Sequence, residues 1–306
     1  MSKHFLSELT GSFATPAIEN PTGVMMEAAY RDLGLDWRYI NCDIQPEDLK
    51  NAVLGAKAMN WRGFNCSIPH KVSVIAHLDE LGESARIIGA VNTVVNRDGK
   101  LVGENTDGRG FVESVTSSLE LSNKRVVLFG AGGAARAVAV ELALAGVAHI
   151  TIVNRNQERG EELAQLVADN TLAGAEYHAW AKQYQIPSET DLVINVTSIG
   201  LYPNVDAELD IDTDSIKSHM VVADGIFNPP QTRLIQTAES KGCTTVNGLG
   251  MLVQQGAIAF EYWTGKAPSM DVMKAALSDA LDVTDLDVTD LDVTELDITD
   301  LERTET

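Results

Sequence analysis

The sequence predicts an α/β protein built as two units, the second of them a doubly wound parallel sheet. Three observations predict it. Short β-rich runs alternate with helical stretches, which is how βαβ units read in a sequence. A strand, a glycine turn and an alanine-rich helix start follow one another at residues 126–136. The 306 residues, 44% of them hydrophobic, are enough for two cores of ordinary size.

The first unit spans residues 1–108. Residues 37–42 read as a strand, 47–59 as a helix and 63–68 as a strand. Residues 91–96 and 101–104 flank Arg97-Asp-Gly-Lys, where Asp-Gly suits the tight turn of a hairpin. A helix at 107–118 leads into the second unit, residues 109–248. There 125–129, 150–153, 192–195 and 221–223 are the β-rich runs, separated by helical stretches. Helices within 249–281 return to complete the first unit. Residues 282–306 form an acidic tail on the pentapeptide Leu-Asp-Val-Thr-Asp. A period of five matches neither helix nor strand, so no continuous apolar face forms and a disordered, solvated extension is expected. A tail that binds calcium or a partner is the alternative.

Charge and composition exclude several classes of function. The net charge is −21, and about ten acidic residues against Arg303 alone put much of it in the tail. An acidic body cannot neutralise phosphates along a nucleic acid, so none is expected as a partner. Residues 1–13 carry polar groups throughout, unlike a signal peptide, and no apolar stretch reaches membrane-spanning length. Cys42, Cys66 and Cys243 are odd in number and far apart, which suits free thiols in a reducing cytoplasm and argues against a metal site. A small-molecule substrate is the expected partner. Oligomeric state is not readable.

The glycine turn points to a nucleotide. Gly130 permits the tight turn after the strand, and Gly132 lets the backbone approach a pyrophosphate. Ala135 is small enough for the helix to pack on the sheet, so this is a Rossmann-type fingerprint. The N–H groups of Gly130, Ala131, Gly132, Gly133 and Ala134 lie where a helix N-terminus would hold phosphate. At the end of the next strand an NAD-binding unit usually places an acidic residue. This chain has Asn154-Arg155-Asn-Gln-Glu-Arg159 instead. Two guanidiniums suit the 2′-phosphate of NADP, and cations are otherwise unfavourable at a helix start. Glu158 between them keeps NAD open.

Three polar clusters stand outside the nucleotide unit: Asn65 to Lys71, Asn92-Thr93 and Asn105-Thr106-Asp107. Each alone could be no more than a set of caps. Together with residues 194–200 and 248–255, the strings SIPHK, IGAVNT, GENTDG, GAGGAARA, INVTSIG and GLGMLVQQ resemble the shikimate dehydrogenase family up to about Leu281. The resemblance implies a substrate domain and a Rossmann-type NADP domain with the active site in the cleft between them. It also implies reduction of 3-dehydroshikimate to shikimate with NADPH. By position, Lys71 would be the general acid/base and Asp107 its partner. Ser67 and Asn92 would bond substrate hydroxyls and Gln255 would reach in from the last helical region. Gly225 and Gly248 would lie against the nicotinamide. The chemistry is consistent, since hydride delivery to a ketone builds alkoxide character that a placed proton donor must quench.

Two departures from the family bear on the substrate. The family holds the substrate carboxylate with a Ser-x-Ser-Pro segment preceded by His, where this chain has Glu19-Asn20-Pro-Thr22-Gly23. Thr22 keeps a hydroxyl, and Asn20 keeps an N–H donor on a longer arm. Phe227 stands where the family usually has Tyr. Such changes shift discrimination by a few kcal/mol, about enough to exchange one close substrate for another. Quinate, an aminoshikimate or a related cyclic hydroxy acid therefore stay open as substrates. A non-catalytic paralogue that senses a metabolite is the rival of another class, and retention of both Lys71 and Asp107 argues against it.

Overall fold

A computed structural model describes residues 5–18 and 20–281. Glu19 and the repeat tail lie outside the described residues.

Strands β1 (Glu8–Ala14), β2 (Trp37–Asp43), β3 (Gly63–Cys66), β4 (Glu80–Leu81), β5 (Thr93–Arg97) and β6 (Lys100–Glu104) form one sheet in the order β2-β1-β3-β5-β6-β4. The first three are parallel, whereas β5 runs antiparallel to both β3 and β6. The reversal is the expected hairpin: Asp98 (φ 53°) and Gly99 (φ 86°) both adopt the left-handed conformation that a primed turn requires. Four helices accompany this sheet: α1 (Thr22–Asp32), α2 (Leu49–Ala58), α3 (His70–Ser73) and α4 (Glu83–Ile88). The predicted helix at 47–59 is a 3₁₀ turn at Pro46–Asp48 followed by α2. Strand β1 was not expected from the sequence. It lies in the middle of the sheet, yet its inward residues include Thr10 and Ser12, whose hydroxyls find partners in Tyr30 and Asn41.

Helix α5 (Thr106–Thr116) leads to the second sheet, β7 (Arg125–Phe129), β8 (His149–Asn154), β9 (Gly174–Ala179), β10 (Leu192–Asn195), β11 (Val221–Asp224) and β12 (Thr244–Val246). All its pairings are parallel, in the order β12-β11-β10-β7-β8-β9. Counted within the unit this is 3-2-1-4-5-6, the doubly wound order of dinucleotide-binding sheets. Alternate residues explain why its strands read as unbroken apolar runs. Val126, Leu128, Ile150, Ile152 and Ile194 face α6 (Gly133–Leu144) and α7 (Gln157–Asn170). Val127, Phe129, Val193 and Val222 face the opposite layer, with Trp180, Tyr184 and helix α8 (Arg233–Ser240).

The chain then returns. Helices α9 (Gly248–Thr264) and α10 (Met270–Leu281) pack on α1 through Met25, Met26, Tyr30, Phe260, Met273 and Leu277. Trp263 Nε1 donates to Val94 O of β5 at 3.0 Å, a buried bond across 169 residues. Helix α5 is pressed between α6 and α9. A Cβ at Gly108 would stand 2.3 Å from Ala137 O, and one at Gly110 would stand 2.6 Å from Gln255 N. No described helix is long and apolar enough to cross a membrane.

Candidate active site

Lys71 lies on α3, just past the carboxyl end of β3, and Asp107 lies in the first turn of α5. Asn105 caps that helix by accepting from the N–H groups of Asp107 and Gly108, which fixes where the carboxylate emerges. Lys71 Nζ donates to Asp107 Oδ2 at 2.6 Å. The two side chains remain 35% and 17% exposed, so the pair is reachable by a small molecule. Asp107 Oδ1 accepts from Asn92 Nδ2 at 2.9 Å. Asn92 is buried, gives its other amide proton to Thr106 Oγ1 and accepts from Thr106 N at 2.7 Å. Its amide is therefore spent on protein groups, and its direct effect is to hold Asp107. Each carboxylate oxygen has its own charged or polar donor, which orients the ammonium rather than merely pairing with it.

The network continues inward. Thr106 Oγ1 meets Thr93 Oγ1 at 3.1 Å, and Asn65 Nδ2 donates to Thr93 Oγ1 and to Asn92 O. Tyr39 OH donates to Asn65 Oδ1 at 2.8 Å. Burial pushes the Tyr39 phenol far above its ordinary value, so it stays a neutral donor. Tyr39 is not among the residues the sequence points to, and Asn65, which opens the first polar cluster, has no role assigned by it. The signal for Asn65 was available: an amide between Phe64 and Cys66 in a fully buried strand needs partners.

The remaining residues singled out for substrate occupy the same carboxyl edge of the first sheet or the helix that returns to it. Thr22 opens α1 and is buried, and its N–H donates to Asn20 Oδ1 at 3.0 Å. Asn20 Nδ2 donates to Ser12 Oγ. The Ser67 hydroxyl has no partner among the described residues, while its backbone N–H is fixed on Phe13 O. Gln255 is buried on α9 and gives Nε2 to Leu252 O, leaving Oε1 unpaired among the described residues. Phe227 is half-buried against the core of α1, α9 and α10.

On the second sheet, Gly130 has φ +117°, a conformation that side chains rarely adopt, and its N–H donates to Val153 O at 3.0 Å. A Cβ there would approach Val196 O to 3.2 Å, so the turn after β7 lies against the chain leaving β10. This is where the strand order reverses, the place where open α/β sheets bind ligands. Gly132 is the N-cap of α6, and residues 132–134 are exposed. A Cβ at Gly132 or Gly133 would meet nothing within 4 Å. The open space before α6, with Ala131 and Ala134 beside the glycines, fits a pyrophosphate. At the end of β8, Asn154 Nδ2 donates to Asn156 O, and Asn156 caps α7 through Arg159 N. Arg155 lies over the Trp180 ring at 6.0 Å. Neither Arg155 nor Arg159 is in an ion pair among the described residues, so both guanidiniums are free to take phosphate.

Gly248 begins α9 so close to the loop after β11 that a Cβ would stand 2.3 Å from Ile226 O and 2.8 Å from the carbonyl carbon of Gly225. Buried Asp224 organises this loop. It accepts from Ile226 N, Asn195 Nδ2 and Thr232 Oγ1, and burial pushes its carboxyl up to about 6. A broad groove along α7 and β9, lined by Arg136, Glu161, Asp169 and Glu176, holds none of these residues.

Three family models match the chain in series. They are the shikimate dehydrogenase substrate binding domain at residues 14–94, shikimate/quinate 5-dehydrogenase at 112–221 and the shikimate 5′-dehydrogenase C-terminal domain at 248–277. The NADP(+) shikimate dehydrogenase of Desulforamulus reducens is 43% identical over 275 residues, 89% of this chain and 94% of that one. Among solved structures, the ligand-free 5-ketofructose reductase of Gluconobacter sp. strain CHM43 is 54% identical with a TM-score of 0.88, covering 90% of this chain and 100% of that one. A shikimate dehydrogenase solved with NADP+ is 39% identical with a TM-score of 0.81, covering 90% and 96%.

Proposed function

The chain belongs to the shikimate dehydrogenase family, and from that premise we propose that Lys71 and Asp107 handle the proton in a reversible reduction of a ring ketone. It is an NADP-dependent oxidoreductase acting on a CH–OH group. NADPH, when bound, supplies the hydride. Residues 130–134 would hold its pyrophosphate, and Arg155 and Arg159 its 2′-phosphate. Asn154 shapes the loop that carries them, and the backbone around Gly225 and Gly248 would lie against the nicotinamide.

The observation that carries the proposal is the 2.6 Å contact between Lys71 Nζ and Asp107 Oδ2, backed by Asn92 on the other oxygen. Charge grows on the ketone oxygen as hydride arrives, and a proton held on Nζ at that point is what the oxygen takes up. In the oxidative direction Nζ receives the proton of the alcohol. Asn92, through Asp107, keeps the ammonium from turning away. Ser67, Thr22 and the free Oε1 of Gln255 would contact substrate hydroxyls, with Phe227 closing the pocket without a phenol.

The curated relatives act as shikimate dehydrogenases, so reduction of 3-dehydroshikimate to shikimate is the reading they support. A second reading is favoured by the 20–22 segment and by the relative at 54% identity: reduction of an uncharged keto sugar of the 5-ketofructose kind. Residues 1–108 with 249–281 would form the substrate half and 109–248 the nucleotide half. The two separate sheets and the return of α9 and α10 onto α1 support that division. Use of NADPH and three free thiols support a reducing cytoplasm as its compartment.

The test is Lys71→Ala. Turnover should fall by roughly 10²- to 10⁴-fold while NADPH binding, followed by its fluorescence, stays close to that of the parent protein. A variant with a near-normal rate would remove Lys71 from the mechanism.

A further inference from the structure

We infer that the end of the pocket formed by residues 20–22 reads an uncharged hydroxyl, not a carboxylate, and that Ser12 is the positioning residue that sets this choice. The inference rests on the ketone-reducing reading above and narrows its substrate to polyhydroxylated ketones without a charge.

Ser12 is fully buried in β1, in register with Asn41 of β2 on one side and Asn65 of β3 on the other. Its hydroxyl donates to Asn41 Oδ1 at 2.8 Å and accepts from Asn20 Nδ2 at 3.0 Å. Asn41 Nδ2 donates back to the backbone carbonyl of Asn20 at 3.0 Å, which closes a ring of three residues. Asn20 Oδ1 is meanwhile occupied by the N–H of Thr22. Position 23 packs on the Tyr39 ring, where a Cβ would stand 3.3 Å away, and the Tyr39 hydroxyl continues through Asn65 toward Asp107. The ring is thus held rigidly against the network that carries the catalytic pair.

The groups left unpaired on Asn20 and Thr22 decide the chemistry. Of the Asn20 amide, one N–H remains. The backbone N–H of Thr22 is used, and its hydroxyl has no partner among the described residues. No lysine or arginine is part of the ring. A carboxylate only accepts, and where the family resemblance implies two rotatable serine hydroxyls to meet it, this chain offers one N–H of an amide fixed by Ser12 and Thr22 beside the Thr22 hydroxyl. An alcohol hydroxyl both donates and accepts, so it satisfies the Asn20 N–H and the Thr22 oxygen together. Without the Ser12 hydroxyl, the Asn20 amide would be free to turn both protons toward a ligand.

The experiment compares 5-ketofructose with 3-dehydroshikimate as oxidants of NADPH, using the full chain and the variants Asn20→Ser and Ser12→Ala. The parent protein should favour the keto sugar by at least about tenfold in kcat/KM. Asn20→Ser and Ser12→Ala should each move that ratio toward 3-dehydroshikimate by about tenfold, in the KM of the ketone and not in that of NADPH. A parent preference for 3-dehydroshikimate, or a ratio that does not move in Asn20→Ser, overturns the inference. Should neither ketone oxidise NADPH, the ketone-reducing reading fails, and binding to the NADP-loaded protein decides the subsite separately. Fructose bound more tightly than shikimate then upholds the uncharged subsite, and shikimate bound as tightly or more tightly overturns it.

Discussion

Arg155 and Arg159 sit at the start of α7, where the helix dipole disfavours cations and no described acid neutralises them. Charges kept in an unfavourable place without an ion-pair partner among the described residues are suited to a ligand that brings its own negative charge. Removing them should therefore cost NADPH far more than NADH. In Arg155→Ala/Arg159→Ala, the KM for NADPH is expected to rise by roughly 10- to 100-fold with the KM for NADH nearly unchanged, since charged bonds to phosphate are worth about 1.5–3 kcal/mol. Steady-state kinetics with both cofactors check this. Equal losses for the two would move recognition of the 2′-phosphate elsewhere.

At the scale of elements, Asp224 joins three of them. Its carboxylate at the end of β11 holds Asn195 at the end of β10 and Thr232, the N-cap of α8. Burial raises its carboxyl from an ordinary 3.8 to about 6, against the pull of three donors. The folded state therefore binds this proton more tightly than the unfolded chain does. Stability from this group is fully present below pH 3.8 and is lost as pH rises through about 6. Asp224→Asn cannot titrate. The difference in unfolding free energy, parent minus variant, should accordingly fall between pH 4 and pH 7 by on the order of 3 kcal/mol. Denaturant titrations across that range measure it, and a flat or rising difference would contradict the assignment. The same clasp sets the loop that meets Gly248, so a helix cap and the surface proposed for the nicotinamide depend on one buried acid.

For the whole molecule, legibility followed the distance over which residues find their partners. The strands at Arg125–Phe129 and Leu192–Asn195 were read to the residue because βαβ units declare themselves locally, by apolar runs between glycine turns. Strand β9 was missed because it is an edge strand with no buried residue, so no apolar run marks it. Strand β1 was missed because Thr10 and Ser12 interrupt its apolar run, and their partners lie 20 and 29 residues away. The site divides the same way. Lys71 and Asp107 stood out as motif residues, and the fold brings them to 2.6 Å. Ser12, Tyr39 and Asn41 carry no motif, Asn65 stands in a polar cluster without a role of its own, and only the pairing of β1, β2 and β3 assembles them.

The return of α9 and α10 onto the first sheet has a consequence for the order in which the protein can be finished on the ribosome. The bond from Trp263 to Val94 and the cover over Met25, Met26 and Tyr30 come from the last described helices. The nucleotide half can complete its own sheet as soon as residue 246 is made, while the first half still waits with an apolar face uncovered. A chain ending at residue 247 should therefore bind an apolar dye such as ANS under conditions where the full chain does not. If it stays dye-negative, the first sheet closes without its late helices. Because α9 and α10 come last, synthesis begins the substrate half first and completes it last, with an apolar face open to aggregation for most of its making.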